Sequence, residues 1–517
     1  MKNSSNLLLT ILLSLFIVSC SKDDDPGTGN GEGQGNGNEV ELNSEINDFV
    51  WKAMNFWYYW QSDVTALADS KDDDQDDYYT YLNGYSDSED LFDDLVYQPG
   101  VVDDFSWYIP DVEEQLNEFR GISYTYGINL GYYLVRVSSD SDDAVVYVTY
   151  VVPGSPAEAA GITRGDLIYS VDGTVLTVNN VNSAIGPLYY NPTVSLGIAK
   201  IEDGNYTPQG DDIEISAAEI TENPVFYHSV IEKEGKKIGY LMYNGFRSTF
   251  HKELNDVFGE FKSAGVEELV LDLRYNGGGS VLTSAYLASM ISGKMSTESV
   301  FASLKYNSKR NEANGYTFPF YNNAAVFDKT TGLYTGESVT INRLSNLTRL
   351  YVITTRRTAS ASEMIINGLR PSMEVITIGE TTVGKNEGSN TLVDSPPTSA
   401  SDEEAYLDVD NRNPAHEVGL QPITFRIYNS LGQSEYTDGF EPKETVVEAD
   451  YVSGPLLPIG DPEEGLLKAV LDDMFGISAK SALQRPGTTT SKLSTIKGKK
   501  FDSEMFVLPG EMEYLEK

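Results

Sequence analysis

From about residue 225 onward, short apolar runs alternate with amphipathic ones, and no other feature of the 517-residue chain restricts its fold as strongly. Lys237 to Tyr243 reads as a strand. Phe250 to Ser263 follows as a helix with Leu254, Val257, Phe258 and Phe261 on one face. Glu268 to Leu273 is a continuous apolar run, the pattern of a strand buried on both faces. Val281 to Ile291 predicts a helix, Arg349 to Thr354 a strand, Ser362 to Leu369 a helix and Glu374 to Ile378 a strand. Alternation of this kind predicts an α/β core with parallel pairing. Residues 423–447 return to a hairpin pattern, with Tyr436 to Gly439 near a turn. The Lys/Ser/Thr-rich tail from about Ser481 is expected at the periphery, and no role is read from it.

Upstream, residues 43–118 carry a helical pattern. Val50, Ala53, Met54 and Trp57 recur at helical spacing, and Asn43 and Ser44 precede them as caps. Trp51, Phe56, Tyr58, Tyr59 and Trp60 thicken this stripe, which reads as core in preference to a sugar platform. Asp69 to Asp77 lacks the glycine of a calcium loop and reads as a solvated loop. Further helical stretches run from Ser88 to Tyr97 and from Pro110 to Phe119. From Gly121 the pattern changes to strands, Tyr124 to Val137 and Ala144 to Val152, with a turn at Asp140 to Asp143.

The stretch VVPGSPAEAAGITRGDLIYSVDG, residues 151–173, is a series of local signals. Pro156 starts a short helix where its missing N–H costs little, and Gly161 ends it in the left-handed region. Gly165 and Asp166 turn the chain into the strand Leu167 to Val171, and Asp172-Gly173 makes a tight hairpin. This segment is strongly similar to PDZ domains of the bacterial protease type. The resemblance implies a groove that takes an extended peptide end by strand addition. Tyr126, Gly127 and Ile128 match the loop that holds such an end, with Gly127 letting backbone approach a carboxylate.

The formal charge of −41 argues against nucleic acid and anionic membrane surfaces as electrostatic partners. Lys2 followed by the apolar run Leu7 to Val18 reads as a targeting signal, too short for a stable membrane span. Ile17, Val18, Ser19 and Cys20 resemble a bacterial lipobox, which implies cleavage before Cys20 and a lipid on its thiol. Cys20 is the only cysteine, so no disulfide forms within the chain. Ser21 to Asp25 resembles the Lys-acidic export signal of Bacteroidetes lipoproteins, which implies the outer face of the outer membrane. Residues 26–38 are Gly-rich and read as a flexible tether.

Three segments carry chemistry. At Asp272 to Gly279, DLRYNGGG, a buried strand ends in three glycines and opens a helix. Neither phosphate-loop spacing is present, so bare N–H groups of Gly277 or Gly278 are expected to form an oxyanion hole with the Ala361 N–H. Ser360 stands in TASASE at the start of a predicted helix, whose N-terminus offers unpaired N–H groups and a positive dipole end. Lys385 closes TVGK, 25 residues on, and serves as a base if burial brings its pKa down from about 10.4. Glu363 and Thr358 are expected to cap the helix, and Ser362 is the competing serine. His228, His251 and His416 lie far apart, form no zinc pattern and read as surface or core residues; no metal or cofactor is expected.

The order PDZ, DLRYNGGG, TASASE and TVGK resembles the C-terminal processing peptidases, or tail-specific proteases, over about residues 120–450. The resemblance implies Ser360 as nucleophile and Lys385 as its base. The Gln that often orients the lysine in that family is replaced by Ser389; Asn386 and Glu387 are the other candidates for that part. The family's Pro in the glycine loop is also absent, leaving Tyr275-Asn276-Gly277.

The implied fold is multidomain α/β. A signal peptide (1–20) and tether (21–42) precede an N-terminal helical domain (43–119) and a PDZ-like β-rich domain (120–222). An α/β serine peptidase core of the ClpP/crotonase type (223–480) and a C-terminal extension (481–517) follow. The implied function is a lipid-anchored serine endopeptidase of the cell envelope, surface-exposed on the outer membrane, acting on protein or peptide substrates. The rival readings are a catalytically silent peptide- or ligand-binding lipoprotein and a glycan-binding envelope protein using the N-terminal aromatics.

Overall fold

The computed structural model describes residues 39–138, 140–202, 205–399, 402–452, 454–477, 492–495, 504–508 and 511. Cys20 and the lipobox lie outside the described residues.

The helix Glu45–Trp57 starts where the Ser44 side chain accepts the Asn47 N–H. Trp51 and Trp57 are 1% exposed, which makes the aromatic stripe core. Trp57 Nε1 donates to the Ala405 carbonyl at 2.7 Å, and Asn307 Nδ2 donates to the Tyr58 carbonyl at 3.0 Å. The N-terminal helices therefore share one apolar core with the region downstream. The acidic run expected as a loop is helical in part. Asp74 caps the helix Gln75–Leu82 by accepting the Asp77 N–H, so an aspartate here starts a helix.

The middle region has its own core around Leu134, Val146, Val148, Ile168 and Leu196. The helix Pro156–Ala159, the left-handed Gly161 and the strand Leu167–Val171 stand as the sequence predicts. The predicted strand 124–137 is broken into Ile122–Thr125, Ile128–Leu130 and Tyr133–Arg136. The breaks fall at Gly127, where φ is +78°, and at Gly131, where a Cβ would meet the Tyr147 ring.

The third region is layered. Its first sheet runs Val225–Lys233, Lys236–Tyr243, Glu268–Asp272, Arg349–Thr354, Glu374–Gly379, Glu444–Thr445. Only the first pair is antiparallel. The helix Gly465–Met474 packs on one face of this sheet. On the other lie the helices Val281–Ile291 and Ala361–Leu369, buried at every residue. A helix buried all round needs apolar neighbours on all sides, and a second sheet supplies them. That sheet runs Gly279–Ser280, Met505–Val507, Glu387–Asn390, Ile423–Asn429, Val300–Tyr306, Tyr316–Pro319. The hairpin expected over 423–447 does not form. Ile423–Asn429 pairs with Glu387–Asn390 and Val300–Tyr306, while Glu444–Thr445 joins the first sheet. The tail is not wholly peripheral either, because Met505, Phe506 and Val507 are apolar in a row and fill a central strand.

The middle region packs on the third through Tyr133, Val135, Tyr147 and Leu167 against Val447, Ala449 and Val452. Arg164 Nη2 pairs with Glu448 at 2.8 Å and Arg357 Nη1 donates to Asn129 Oδ1 at 3.0 Å across the same junction.

Candidate active site

Two loops leave the C-terminal ends of adjacent parallel strands, the place where open α/β sheets bind ligands. One follows Glu268–Asp272 and carries the glycines; the other follows Arg349–Thr354 and carries Ser360. Thr358 stitches them together, its Oγ1 donating to the Leu273 carbonyl at 2.8 Å and accepting the Thr355 N–H at 2.9 Å. Thr358 is thus a cross-strand tie, not the helix cap the sequence suggests. Ser362 donates to the Asn276 carbonyl at 3.0 Å, so its hydroxyl is committed to the loop.

Ser360 has φ +63° and ψ −116°, a backbone state sparsely populated by non-glycine residues. The strain puts it at the sharp turn from strand to helix, directly before Ala361–Leu369. Its side chain is buried, and its Oγ has no hydrogen-bond partner among the described residues.

The glycine loop comes within touching distance of this serine. Gly278 has φ +123°, and a Cβ there would stand 2.8 Å from Ser360 Cβ, 3.1 Å from the Ala361 nitrogen and 2.3 Å from the Glu504 carbonyl oxygen. The structure therefore brings Gly278, Ser360 and Ala361 together, with Gly277 lining the cavity beside them. The Gly278 N–H is taken by Asn276 Oδ1 at 2.9 Å. The amide that meets a carbonyl is one residue on: Gly279 N–H donates to the Glu504 carbonyl at 2.5 Å.

Glu363 joins the Ser360 loop and the Lys385 loop. Its Oε2 accepts the Ser360 N–H at 2.9 Å and the Lys385 N–H at 2.8 Å. Its Oε1 accepts the Gly384 N–H at 2.7 Å and the Thr382 hydroxyl at 2.5 Å. Burial pushes the Glu363 carboxyl up to about 7, against the pull of these four donors. The expected cap is present and does more than cap: one carboxylate fixes two backbones that are remote in sequence.

Lys385 is fully buried. Its Nζ pairs with Glu504 Oε2 at 2.9 Å and lies 4.5 Å from the centroid of the Phe105 ring. Of the three groups considered for orienting it, Asn386 donates to the Ser434 carbonyl and Glu387 pairs with Arg426. Ser389 donates to the Met505 carbonyl at 3.4 Å and accepts from Gln421 Nε2 at 3.1 Å, and its hydroxyl helps to lower the Glu504 carboxyl. Glu504 is the functional residue that sequence reasoning missed. It lies 119 residues beyond its lysine, with no local pattern to mark it. Burial pushes its carboxyl up to about 8, opposed by Lys385.

Tyr126, Gly127 and Ile128 line a cavity of ≈ 300 Å³ that also reaches Gly277, Gly278 and Arg357. The strand Ile128–Leu130 pairs along one edge with Ala144–Val151, and Leu188 and Tyr189 line the cavity with it. The Gly127 N–H donates to Thr125 Oγ1 at 3.2 Å. A Cβ at Gly127 would stand 2.2 Å from Ser155 Cβ, so the glycine is required by its own fold before any carboxylate arrives.

The histidines have partners elsewhere. His228 pairs with Glu260, His416 with Asp394, and His251 is buried between Ala325 and Thr283. Among the described residues no cluster of metal-ligating side chains is present.

Sequence profiles match in the same order along the chain. The peptidase S41 N-terminal domain covers residues 45–107, a PDZ domain 147–185 and peptidase family S41 237–423. A carboxyl-terminal-processing protease of Picosynechococcus sp. is 26% identical over 273 residues, 52% of this chain and 57% of the relative. The chloroplastic C-terminal processing peptidase of Tetradesmus obliquus is 26% identical over 253 residues, 46% of this chain and 48% of the relative. The chain thus spans about half the length of these curated relatives. A crystal structure assigned to the S41 proteases, from Bacteroides fragilis, superposes with a TM-score of 0.61 at 28% identity, covering 83% of this chain and 97% of the other. Three profiles in one order, a shared fold, and a serine and a lysine both inside the matched core identify the chain as a member of peptidase family S41.

Proposed function

We propose that this chain is a serine endopeptidase working by a Ser-Lys dyad. Neutral Lys385 takes the proton of Ser360 Oγ, and the alkoxide attacks a peptide carbonyl. The Gly279 and Ala361 N–H groups hold the oxyanion, with Gly277 and Gly278 leaving room for it. Protonated Lys385 gives its proton to the leaving amine, and water activated by the amine hydrolyses the acyl-enzyme. The observation that carries this reading is the Glu363 carboxylate, which ties the Ser360 and Lys385 backbones to one point. The cavity shared by Tyr126 to Ile128 and the glycine loop supports a route by which a polypeptide end held in the PDZ groove reaches the serine.

We further propose that the chain is a lipoprotein of the cell envelope, held by a lipid on Cys20 and facing outward from the outer membrane. The lipobox-like segment and Gly-rich tether support this, and no helix among the described residues is long and apolar enough to cross a membrane. Metabolic labelling with a radioactive fatty acid tests it: wild type incorporates label and Cys20→Ala does not.

Fluorophosphonate labelling beside casein hydrolysis tests the dyad. Ser360→Ala and Lys385→Ala each abolish cleavage while thermal unfolding stays cooperative. The silent binding reading draws on the engagement of Lys385 by Glu504; absence of labelling and cleavage in every form of the chain, with tight peptide binding, would establish it instead.

A further inference from the structure

The segment that supplies Glu504 enters the site as a strand. Met505–Val507 lies between Gly279–Ser280 and Glu387–Asn390 and is parallel to both, with Gly279 opposite Met505 and Ser389 opposite Phe506. Those flanking strands carry the glycine loop and the residues just after Lys385. Without the inserted strand, each presents an unpaired edge toward the other, a slot that an extended polypeptide fills by strand addition.

The segment occupies that slot as a substrate would. The Glu504 carbonyl accepts the Gly279 N–H at 2.5 Å and shares the space over Gly278 with Ser360 Cβ and the Ala361 nitrogen. A backbone carbonyl thus occupies the amide that the peptidase reading assigns to the oxyanion. The next side chains are seated: Met505 is fully buried, and Phe506 stacks on Phe119 with ring centroids 3.9 Å apart. Beyond them Glu511, 1% exposed, accepts the Ser280 hydroxyl at 2.6 Å and the Leu508 N–H at 3.3 Å.

One contact makes the arrangement unproductive. Lys385 Nζ is bound to Glu504 Oε2 at 2.9 Å in a fully buried site. If the pair is ionic, the amine carries its proton. If it is neutral, the amine lone pair accepts the carboxylic hydrogen. In both states the lone pair that must receive the Ser360 proton is occupied. A carbonyl in the oxyanion site and an acid on the base block both halves of the reaction.

We propose that the segment Glu504 to Leu508 is an intramolecular pseudo-substrate that fills the polypeptide slot between Gly279–Ser280 and Glu387–Asn390 and holds the peptidase shut until it is displaced. The inference rests on the peptidase reading and adds what controls it. It also defines the ligand of the slot: an extended segment with an acidic side chain before the bond facing Ser360 and apolar ones after it.

The test uses the full chain with a recognition sequence for a site-specific protease inserted between Thr495 and Glu504, together with full-length Glu504→Ala and Glu504→Gln. Fluorophosphonate labelling of Ser360 and casein hydrolysis are followed before and after the cut. Intact mass and size exclusion report release of the segment, and a fluorescent peptide of residues 500–517 reports rebinding. Labelling speed follows the fraction of open sites, so the cut chain and Glu504→Ala react about tenfold faster or more, and added peptide restores the slow rate. Equal labelling in intact, cut and Glu504→Ala forms overturns the block and leaves the peptidase reading intact. No Ser360 reactivity in any form, with the peptide still rebinding, overturns the peptidase reading while the docked strand stands. Cleavage of Glu504–Met505 by the unmodified chain, seen by mass, makes the segment a substrate and also overturns the proposal.

Discussion

The backbone of Ser360 makes a sharp thermodynamic prediction. With φ +63° and ψ −116° the residue sits outside the regions open to L side chains, and such a state costs about 1–3 kcal/mol. Glycine adopts it without steric cost but brings about 0.4–1 kcal/mol of extra unfolded-state entropy. Ser360→Gly should therefore be more stable than Ser360→Ala by about 1.3 kcal/mol, the difference between the mid-values of those two effects. The comparison with alanine matters because both variants delete the same buried hydroxyl, and that part cancels. For a cooperative unit of 150–250 residues each kcal/mol moves Tm by about 2–4 °C, a shift that differential scanning calorimetry resolves. Neither variant reacts with a fluorophosphonate. Equal melting points, or a glycine variant that melts below the alanine one, would refute the claim that the turn at Ser360 is strained.

Gly278→Ala places a methyl 2.3 Å from the Glu504 carbonyl oxygen; on the proposed peptidase reading kcat/KM for a peptide substrate should fall about 10²–10³-fold, as when one oxyanion donor is lost. Glu363→Gln turns an NH₂ toward N–H donors that now meet carboxylate oxygens. Urea denaturation should register a loss of about 1–3 kcal/mol, with slower Ser360 labelling. Burial pushes the Glu511 carboxyl up to about 7. A raised carboxyl contributes stability that is complete below its unfolded value near 4.5 and is lost as pH rises through about 7. Docking of the tail strand should weaken over that window, seen as faster hydrogen exchange at Met505 to Val507 and faster Ser360 labelling; Glu511→Gln should make the exchange profile shallower, with Glu504, raised to about 8, supplying the remaining slope.

Local pattern reached far into this fold and stopped at specific places. The bounds of Val281–Ile291 and Arg349–Thr354 are those read from apolar periodicity, because each element buries a side that its own residues specify. The segment 423–447 misled for the complementary reason. Alternation says that a strand has two faces but not which neighbour it pairs with, and here the partners come from 387–390 and 300–306. Within DLRYNGGG the glycines announce an open backbone. Which amide stays available is decided by the Asn276 side chain, which takes the N–H of Gly278 and leaves that of Gly279. Asp74 is legible as a cap, since aspartate before a Tyr-rich run is a helix start, but an acidic run suits a solvated loop equally well. Glu504 was not readable at all. Its role depends on where the tail lies in space, and nothing near it in sequence encodes Lys385.

The 25-residue interval between Ser360 and Lys385 has a geometric reason. Arg349–Thr354, the helix Ala361–Leu369 and Glu374–Gly379 form one strand-helix-strand crossover with the two strands paired in parallel. Ser360 stands where the first strand gives way to the helix, and Lys385 follows the end of the second strand. Neighbouring strands lie about 4.8 Å apart, so one crossover returns the chain to the same end of the sheet, one strand over. Glu363, on the first turn of that helix, spans the gap and fixes both backbones. The bonds that tie the Ser360 and Lys385 backbones together thus lie within one supersecondary unit and the loop that follows it. Glu504, which engages Lys385, comes from a segment that pairs with the second sheet and makes no strand pair with the first. Geometry and availability of the amine are therefore set by different pieces of chain. A tail displaced from its slot would free Lys385 without moving Ser360, because none of the bonds that place the serine passes through residue 504.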